Sequence, residues 1–352
     1  MTIQPLRIAL TADPELPVPP LLYGGIERVI DMLAKGLVAR GHDVTLFAHP
    51  DSASAGKLMP WPGKNSQSVS DTFKNAMTLY HRVSRGSFDV VHSFSRIAYL
   101  TPLLFNPVPK IMSYQRAISP RTTKLAHILA RGSLEFTAIS QWMMEPVQHF
   151  GRWHMVPNGV PMDTYDFVPM VSDNAPLVFL GRIEEIKGPH LAIKIAKRTG
   201  RRLIIAGNIP ADKQEWVDQH VMPHVDGNQI TYIGPVNDHQ KNNLLGQAAA
   251  FLMPILWEEP FGIVMAEALA CGTPVVGLCR GAVPEVVVDG VTGFVCDDIN
   301  GLVEAVRKIG TISRAACRRA CEARYGAEAV VGGYVKLYGA LSRKYKNVKL
   351  TS

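Results

Sequence analysis

No apolar run in the sequence approaches the roughly 18 residues needed to cross a bilayer, and there is no low-complexity stretch or short-period repeat. The opening MTIQPLRIALTAD carries one Arg, a short strand-like run and no small-residue cleavage site, so it does not read as a signal peptide. Cysteine is sparse: Cys271, Cys279, Cys296, Cys317 and Cys321 are odd in number and confined to the C-terminal third. Only Cys317 and Cys321 are close, at the i,i+4 spacing of one helix face, with no His pair beside them for zinc. They read as reduced thiols of a cytoplasmic protein. Also missing after the first strand is the G-x-G-x-x-G fingerprint, which tells against a nicotinamide-dependent oxidoreductase.

At 352 residues the chain exceeds one ordinary hydrophobic core, so two domains are expected. A hydrophobic content of 47% and a charged content of 19% belong to a globular chain and exclude disorder. The net charge of +7 suits three partners: nucleic acid, an anionic membrane surface or phosphorylated small molecules. Nucleic acid is set aside, because the basic residues are scattered and the one dense cluster, Arg343 to Lys349, is a tail. Peripheral contact with the inner face of an anionic membrane stays open beside a plain soluble reading.

Strand-like and helix-like segments alternate. LRIAL (6–10) is a short β run, and GGIERVIDMLAKGLVARG (24–41) puts Ile26, Ile30, Leu33 and Leu37 on one helical stripe closed by Gly. HDVTLFA (42–48), FDVVHSF (88–94), KIMSYQ and FTAIS follow as strands. The rhythm breaks in VPMDTYDFVPMVSDNAP (160–176), rich in Pro, Asp and Ser, which reads as a linker. It restarts with LVFLG, the helix PHLAIKIAKRTG, RLIIAG, ITYIG, the helix KNNLLGQAAAF, FLMPI, a helix within FGIVMAEALACG, TPVVGL and GFVCD. Strand and helix at this spacing mean βαβ units in two α/β domains, with parallel sheets and Rossmann-like halves. Chemistry is then expected at the carboxyl ends of the strands.

Four places carry chemistry. Gly24 and Gly25, where a loop becomes a helix, let backbone N–H groups approach a phosphate or sugar, or simply start the helix. Arg182 and Lys187, on the loop after LVFLG, are two cations placed to hold a diphosphate, or else solvated surface charges. In WEEPFGIVMAEALACGTPVV (257–276), Phe261, Gly262 and Ile263 stand at a helix N-terminus whose free N–H groups suit phosphate or sugar hydroxyls. Glu259 precedes them and Glu267 follows inside the helix; their spacing fits neither an acid–base pair on one face nor a metal site. His92, ending the strand FDVVHSF, is the best-placed His, catalytic or structural.

Taken together, YGGIERV, DVVHSF, AIS, VPNGV, GRIEEIKG, EPFGIVMAEALACGTPVV and GAVPEVVVDGVTGFV resemble, in order and over nearly the whole chain, the retaining GT-B glycosyltransferases of family 4 (glycosyl transferases group 1). The pair Glu259 and Glu267, with seven residues between, is the most specific part of the match. The resemblance implies two Rossmann-like domains facing across a cleft. Residues 1–168 would form the acceptor side, 175–325 the donor domain, and a C-terminal helix (about 326–352) would cross back to the first. It implies a sugar moved with retention from a nucleotide-diphosphate sugar, such as a UDP- or GDP-sugar, to a glycan, lipid or small-molecule acceptor, by a front-face route without a metal or other cofactor.

Carried over by position, Arg182 and Lys187 would neutralise the diphosphate and Glu267 would bind the ribose hydroxyls. Glu259 would touch the sugar, beside the amides of Phe261, Gly262 and Ile263. Gly24 and Gly25 would close over the donor, and the base would lie near the turn YIGPVND (232–238). The acidic pair Asp297–Asp298 reads as a turn. Several relatives carry a second His two positions after the first, where Phe94 stands here, so a sugar-contacting role falls on His92 or on no residue. A sugar-nucleotide 2-epimerase and a catalytically silent nucleotide-binding protein are the alternatives. The intact VPNGV and GRIEEIKG stretches argue against the first, and the intact Arg182, Lys187, Glu259 and Glu267 set argues against the second.

Overall fold

A computed structural model describes residues 4–21, 24–116 and 118–351, with side chains up to Lys344. Leu22 and Tyr23 of the glycine loop, Ala117, and the side chains of the basic tail from Tyr345 on lie outside the described residues. The chain divides into two compact units, one running to Gly159 and resuming at Ala327, the other Val160–Gly326.

The first unit holds seven strands: β1 (Arg7–Thr11), β2 (Asp43–Ala48), β3 (Lys57–Pro60), β4 (Val90–Ser93), β5 (Lys110–Tyr114), β6 (Leu134–Ala138) and β7 (Trp153–Met155). Their order is β3-β2-β1-β4-β5-β6-β7, and every neighbouring pair is parallel. Central strands covered on both faces are apolar throughout rather than alternating; β1 is buried at all but its first residue. The helix Gly25–Ala39 buries Ile30, Leu33 and Leu37, while Ile26, expected on the same stripe, is only part-buried at the helix mouth. The last helix, Ala327–Thr351, packs on it and on β4. The approach is close at Gly36, where a Cβ would stand 2.6 Å from Val331 Cγ2.

In the second unit, β8 (Leu177–Leu180), β9 (Leu203–Ala206), β10 (Ile230–Tyr232), β11 (Ala250–Met253), β12 (Val275–Leu278) and β13 (Gly293–Cys296) form a parallel sheet in the order β10-β9-β8-β11-β12-β13. The order reverses between β8 and β11. In open α/β sheets ligands bind outside the carboxyl ends of the strands at that switch point.

Three expectations need correction. Residues 160–176 are not a linker, and the boundary falls at Gly159–Val160 rather than in 168–175. Val160 and Gly326, the first and last residues of the second unit, are bridged, and Val168 donates its N–H to Cys271 O at 3.1 Å. Polar composition hid a segment that is hydrogen-bonded to the second unit at Asn242, Cys271, Arg318 and Tyr325. The helix read as KNNLLGQAAAF spans Asp238–Gly246 instead, and Ala250 and Phe251 open β11. Arg314 Nη2 takes Gly246 O at 2.7 Å and Nη1 takes Ala248 O at 2.8 Å, which stops the helix there.

The third correction concerns His92. It is fully buried on β4, with Nδ1 2.5 Å from Tyr338 Oη and Nε2 2.6 Å from Ser113 Oγ, and its ring packs on Phe94 and Tyr334. Burial drives its pKa down to about 3. Nδ1 ties β4 to the last helix and Nε2 ties it to Ser113 of β5, so both ring nitrogens are engaged in holding the first unit together.

A base that folding holds below its ordinary pKa of 6.5 binds fewer protons folded than unfolded. Its contribution is complete above about 6.5 and is lost as pH falls towards 3, with a slope of up to about 1.4 kcal/mol per pH unit. Asp13, raised to about 6 chiefly by burial and then by Glu15, acts in the opposite sense over much of that range. Comparing wild type with His92→Phe isolates the histidine. Denaturant titrations between pH 7 and 4 are expected to show a shallower loss of stability on acidification in the variant; parallel curves refute the assignment.

Candidate active site

β8 ends at Leu180, and the chain turns through Gly181, Arg182, Ile183 and Glu184 into a short 3-10 turn, Glu185–Lys187. Two bonds tie this loop to the sheet and its continuation: Gly181 N–H to Ala206 O (3.1 Å) and Ile183 N–H to Asn208 O (2.9 Å). Gly188 has φ +79°, and a Cβ there would stand 2.0 Å from Pro254 O, so only glycine lets the loop lie against the chain leaving β11. Pro189 then opens the helix Pro189–Thr199. Leu256 donates its N–H to Ile186 O at 2.8 Å. That bond joins the two loops and brings Lys187 to the second cluster.

There Lys187 Nζ lies 2.6 Å from Glu259 Oε2 and 4.7 Å above the Trp257 ring, whose Nε1–H also donates to Glu259 Oε2 at 3.0 Å. Lys187 and Glu259 are largely buried, whereas Arg182, 40% exposed, pairs with Glu184 at 2.8 Å. Glu258, read as a surface residue, is exposed; it accepts from Gly281 N–H at 2.5 Å and pairs with Arg280. Phe261 is buried edge-on to Tyr325. Gly262, at φ +73°, turns the chain into the helix Ile263–Ala270, whose first turn has no side-chain cap. Its unsatisfied N–H groups and dipole favour an anion.

Glu267 sits one turn into that helix, 4% exposed. Its Oε1 accepts from Tyr165 Oη at 2.6 Å and from Lys241 Nζ, which also pairs with Asp238 at 3.4 Å and lies 5.5 Å from the centre of the Tyr165 ring. Arg318 Nη1 grips Tyr165 O (2.7 Å) and Ala270 O (2.8 Å), and Asp166 and Asn242 exchange two bonds. Next to Glu267, burial pushes the Cys271 thiol up to about 12, so it stays protonated. Beyond β10, Tyr232 Oη donates to Gly207 O, and Asn237 with Gln240 forms a capping box on the helix Asp238–Gly246. Asp298 is a helix cap, taking Gly301 N–H at 2.8 Å.

Arg182, Lys187, Glu259, Phe261, Gly262, Ile263 and Glu267 therefore gather in the second unit, at the switch point. Gly24, Gly25 and His92 belong to the first. Gly24, at φ +147°, would bring a Cβ within 2.7 Å of Pro20, and the helix from Gly25 has no side-chain cap. Sequence reading missed Tyr165, Lys241 and Trp257. Tyr165 and Phe167 are aromatics in a stretch rich in Pro, Asp and Ser, a signal that the stretch is packed.

Residues 167–322 match the family model for glycosyl transferases group 1, and residues 23–164 that for glycosyltransferase family 4. Glycogen synthase of Mycobacterium tuberculosis is 27% identical over 363 residues, covering 87% of each chain. Among solved structures, AviGT4, a glycosyltransferase involved in avilamycin A biosynthesis, superposes with a TM-score of 0.73 at 24% identity, covering 96% of this chain and 98% of its own. Anabaena Alr3699/HepE in complex with UDP and glucose gives 0.73 at 17%, covering 95% and 100%.

Lys187→Met leaves the buried Glu259 carboxylate without its cation and is expected to cost about 1–3 kcal/mol in chemical denaturation. In a double-mutant cycle with Glu259→Gln the losses should fall short of additivity by at least about 0.5 kcal/mol. Additive losses would mean the two side chains do not stabilise each other.

Proposed function

Because the chain belongs to the GT-B glycosyltransferases of group 1 and family 4, and is a hexosyltransferase, we propose that it moves a sugar with retention from a nucleotide-diphosphate sugar to a hydroxyl acceptor. One observation carries this reading. At the carboxyl ends of β8 and β11 two cations, an uncapped helix N-terminus and a buried glutamate one turn beyond follow one another, as a diphosphate followed by a ribose would require. Arg182, Lys187 and the amides of Phe261, Gly262 and Ile263 meet the diphosphate, where negative charge develops as the sugar leaves. Glu259 accepts from the sugar hydroxyls and Glu267 from the ribose. The base, uracil or guanine, lies by the turn 232–238, where Ile233 is 47% exposed.

The C1–oxygen bond to the diphosphate breaks, and the acceptor oxygen bonds C1 on the same face. The leaving phosphate oxygen takes the acceptor proton. Charge on the leaving group is met by the chain's own cations and dipoles, so this route needs no metal and no protein nucleophile. Incubation with UDP-, GDP- and ADP-sugars plus lipid and glycan acceptors is expected to release free nucleotide. Arg182→Ala and Lys187→Ala should each lower kcat/KM about 100- to 1,000-fold. Near-normal rates in both would remove the diphosphate assignment. Donor interconversion without acceptor would mark an epimerase, and binding without turnover a silent protein.

A specific surface favours peripheral membrane contact, on the cytoplasmic face, as an accompanying reading. Residues 116–133 contain Arg116, Arg121, Lys124 and Arg131 and no acid. On the helix Pro120–Leu129, Arg121, Lys124, Leu125 and Ile128 fall within about 100° of arc. Leu125 and Ile128 are each 58% exposed while Thr123 and Ala126 are buried. Cations flanking exposed aliphatics on one face match an anionic lipid surface. Among the described residues no helix is long and apolar enough to cross a membrane. Flotation with phosphatidylserine vesicles should recover the protein, and Leu125→Asp/Ile128→Asp should lose it; equal recovery with neutral vesicles removes the reading.

A further inference from the structure

Each signature glutamate is held in the same way, by one lysine and one aromatic donor on a single oxygen. Glu259 Oε2 receives Lys187 and Trp257, and Glu267 Oε1 receives Lys241 and Tyr165. In both, the ammonium also faces the ring of its aromatic partner. At Glu267 the three groups come from separate segments: the stretch after Val160, the helix Asp238–Gly246 and the helix Ile263–Ala270. Tyr165 is fixed by Arg318 on its carbonyl and by the Asp166–Asn242 exchange beside it. Both donors fall on Oε1, and no described residue donates to Oε2.

We propose that Tyr165 and Lys241 are positioning residues of the donor site: by occupying Oε1 they lock the Glu267 carboxylate and leave Oε2 as the acceptor for the ribose hydroxyls. The inference rests on the reading of Glu267 given above. A carboxylate oxygen has two lone pairs, so Oε2 alone can accept from two vicinal O–H groups. The terminal torsion of a Glu side chain is broad and does not orient itself. Two donors on one oxygen, held by neighbouring segments, supply the orientation that the side chain lacks. An acceptor held ready for a hydroxyl on a largely buried carboxylate also penalises a ligand that lacks it. The pair is therefore a specificity device for ribonucleotides as well as a support.

Calorimetry on the full chain tests this with UDP and GDP and their 2′-deoxy counterparts, in wild type, Tyr165→Phe, Lys241→Met and Lys241→Arg. Wild type should bind one ribonucleotide at least about tenfold more tightly than its deoxy form. Tyr165→Phe and Lys241→Met should each weaken ribonucleotide binding about tenfold, leave deoxynucleotide binding nearly unchanged and bring the ratio towards one. Lys241→Arg, which keeps a cationic donor, should recover most of the ratio. A purely structural role would weaken both forms together and leave the ratio intact, and that result in both variants overturns the inference while the proposed function stands. A wild type that binds neither diphosphate overturns the donor reading and the inference with it. Melting temperatures identify a variant that fails to fold, in which case the other variant and its Arg counterpart decide.

Discussion

A carboxylate buried in a short apolar helix is tolerated only if it is neutralised and hydrogen-bonded, and much of the second unit is arranged around that constraint. The helix IVMAEALA offers Glu267 no partner of its own. Lys241 comes from the neighbouring helix and Tyr165 from the chain that has just entered the unit. To hold Tyr165 there, residues 160–168 run along the unit under the grip of Arg314 and Arg318, whose guanidinium groups take the carbonyls of Met162, Tyr165, Val168 and Ala270. The domain boundary follows from this. A stretch that carries a partner for a buried charge belongs to the domain that buries it.

In the first unit, Glu135, Lys110 and His92 are buried ionisable groups satisfied within their own surroundings. Glu135 takes His154 at 2.8 Å and Lys344 at 2.9 Å, one on each carboxylate oxygen. Lys110, fully buried and pushed down to about 7 by burial, donates to Asn106 O and Val108 O. His92 is kept neutral between two hydroxyls. These groups hold the first unit's sheet to its flanking chain, including the last helix. Glu267 differs in that both of its described side-chain donors fall on one oxygen.

The parallel sheets were legible because buried strands such as VVGL and AFLM are apolar without alternation, and because Gly and Pro punctuate the loops between them. The cations after β8 and the glutamates around the helix Ile263–Ala270 were legible as types at strand ends. The end of the helix at Gly246 was not, because Arg314, nearly seventy residues away, supplies the stop. His92 looked like a catalytic candidate because a strand end is where catalytic groups stand. Tyr334 and Tyr338, some 240 positions later, fill the space over it.

Local pattern alone thus determined the alternation of strand and helix, the two-domain division in outline, and which residue types stand at the carboxyl ends of the second sheet. These depend on burial periodicity and turn chemistry, which act over a few residues. Tertiary structure decided which acid meets which cation, where one domain gives way to the next, and whether a histidine is reactive or sealed. Those are contacts between segments far apart in sequence, and a carboxylate's role depends on which of its oxygens the fold has already used.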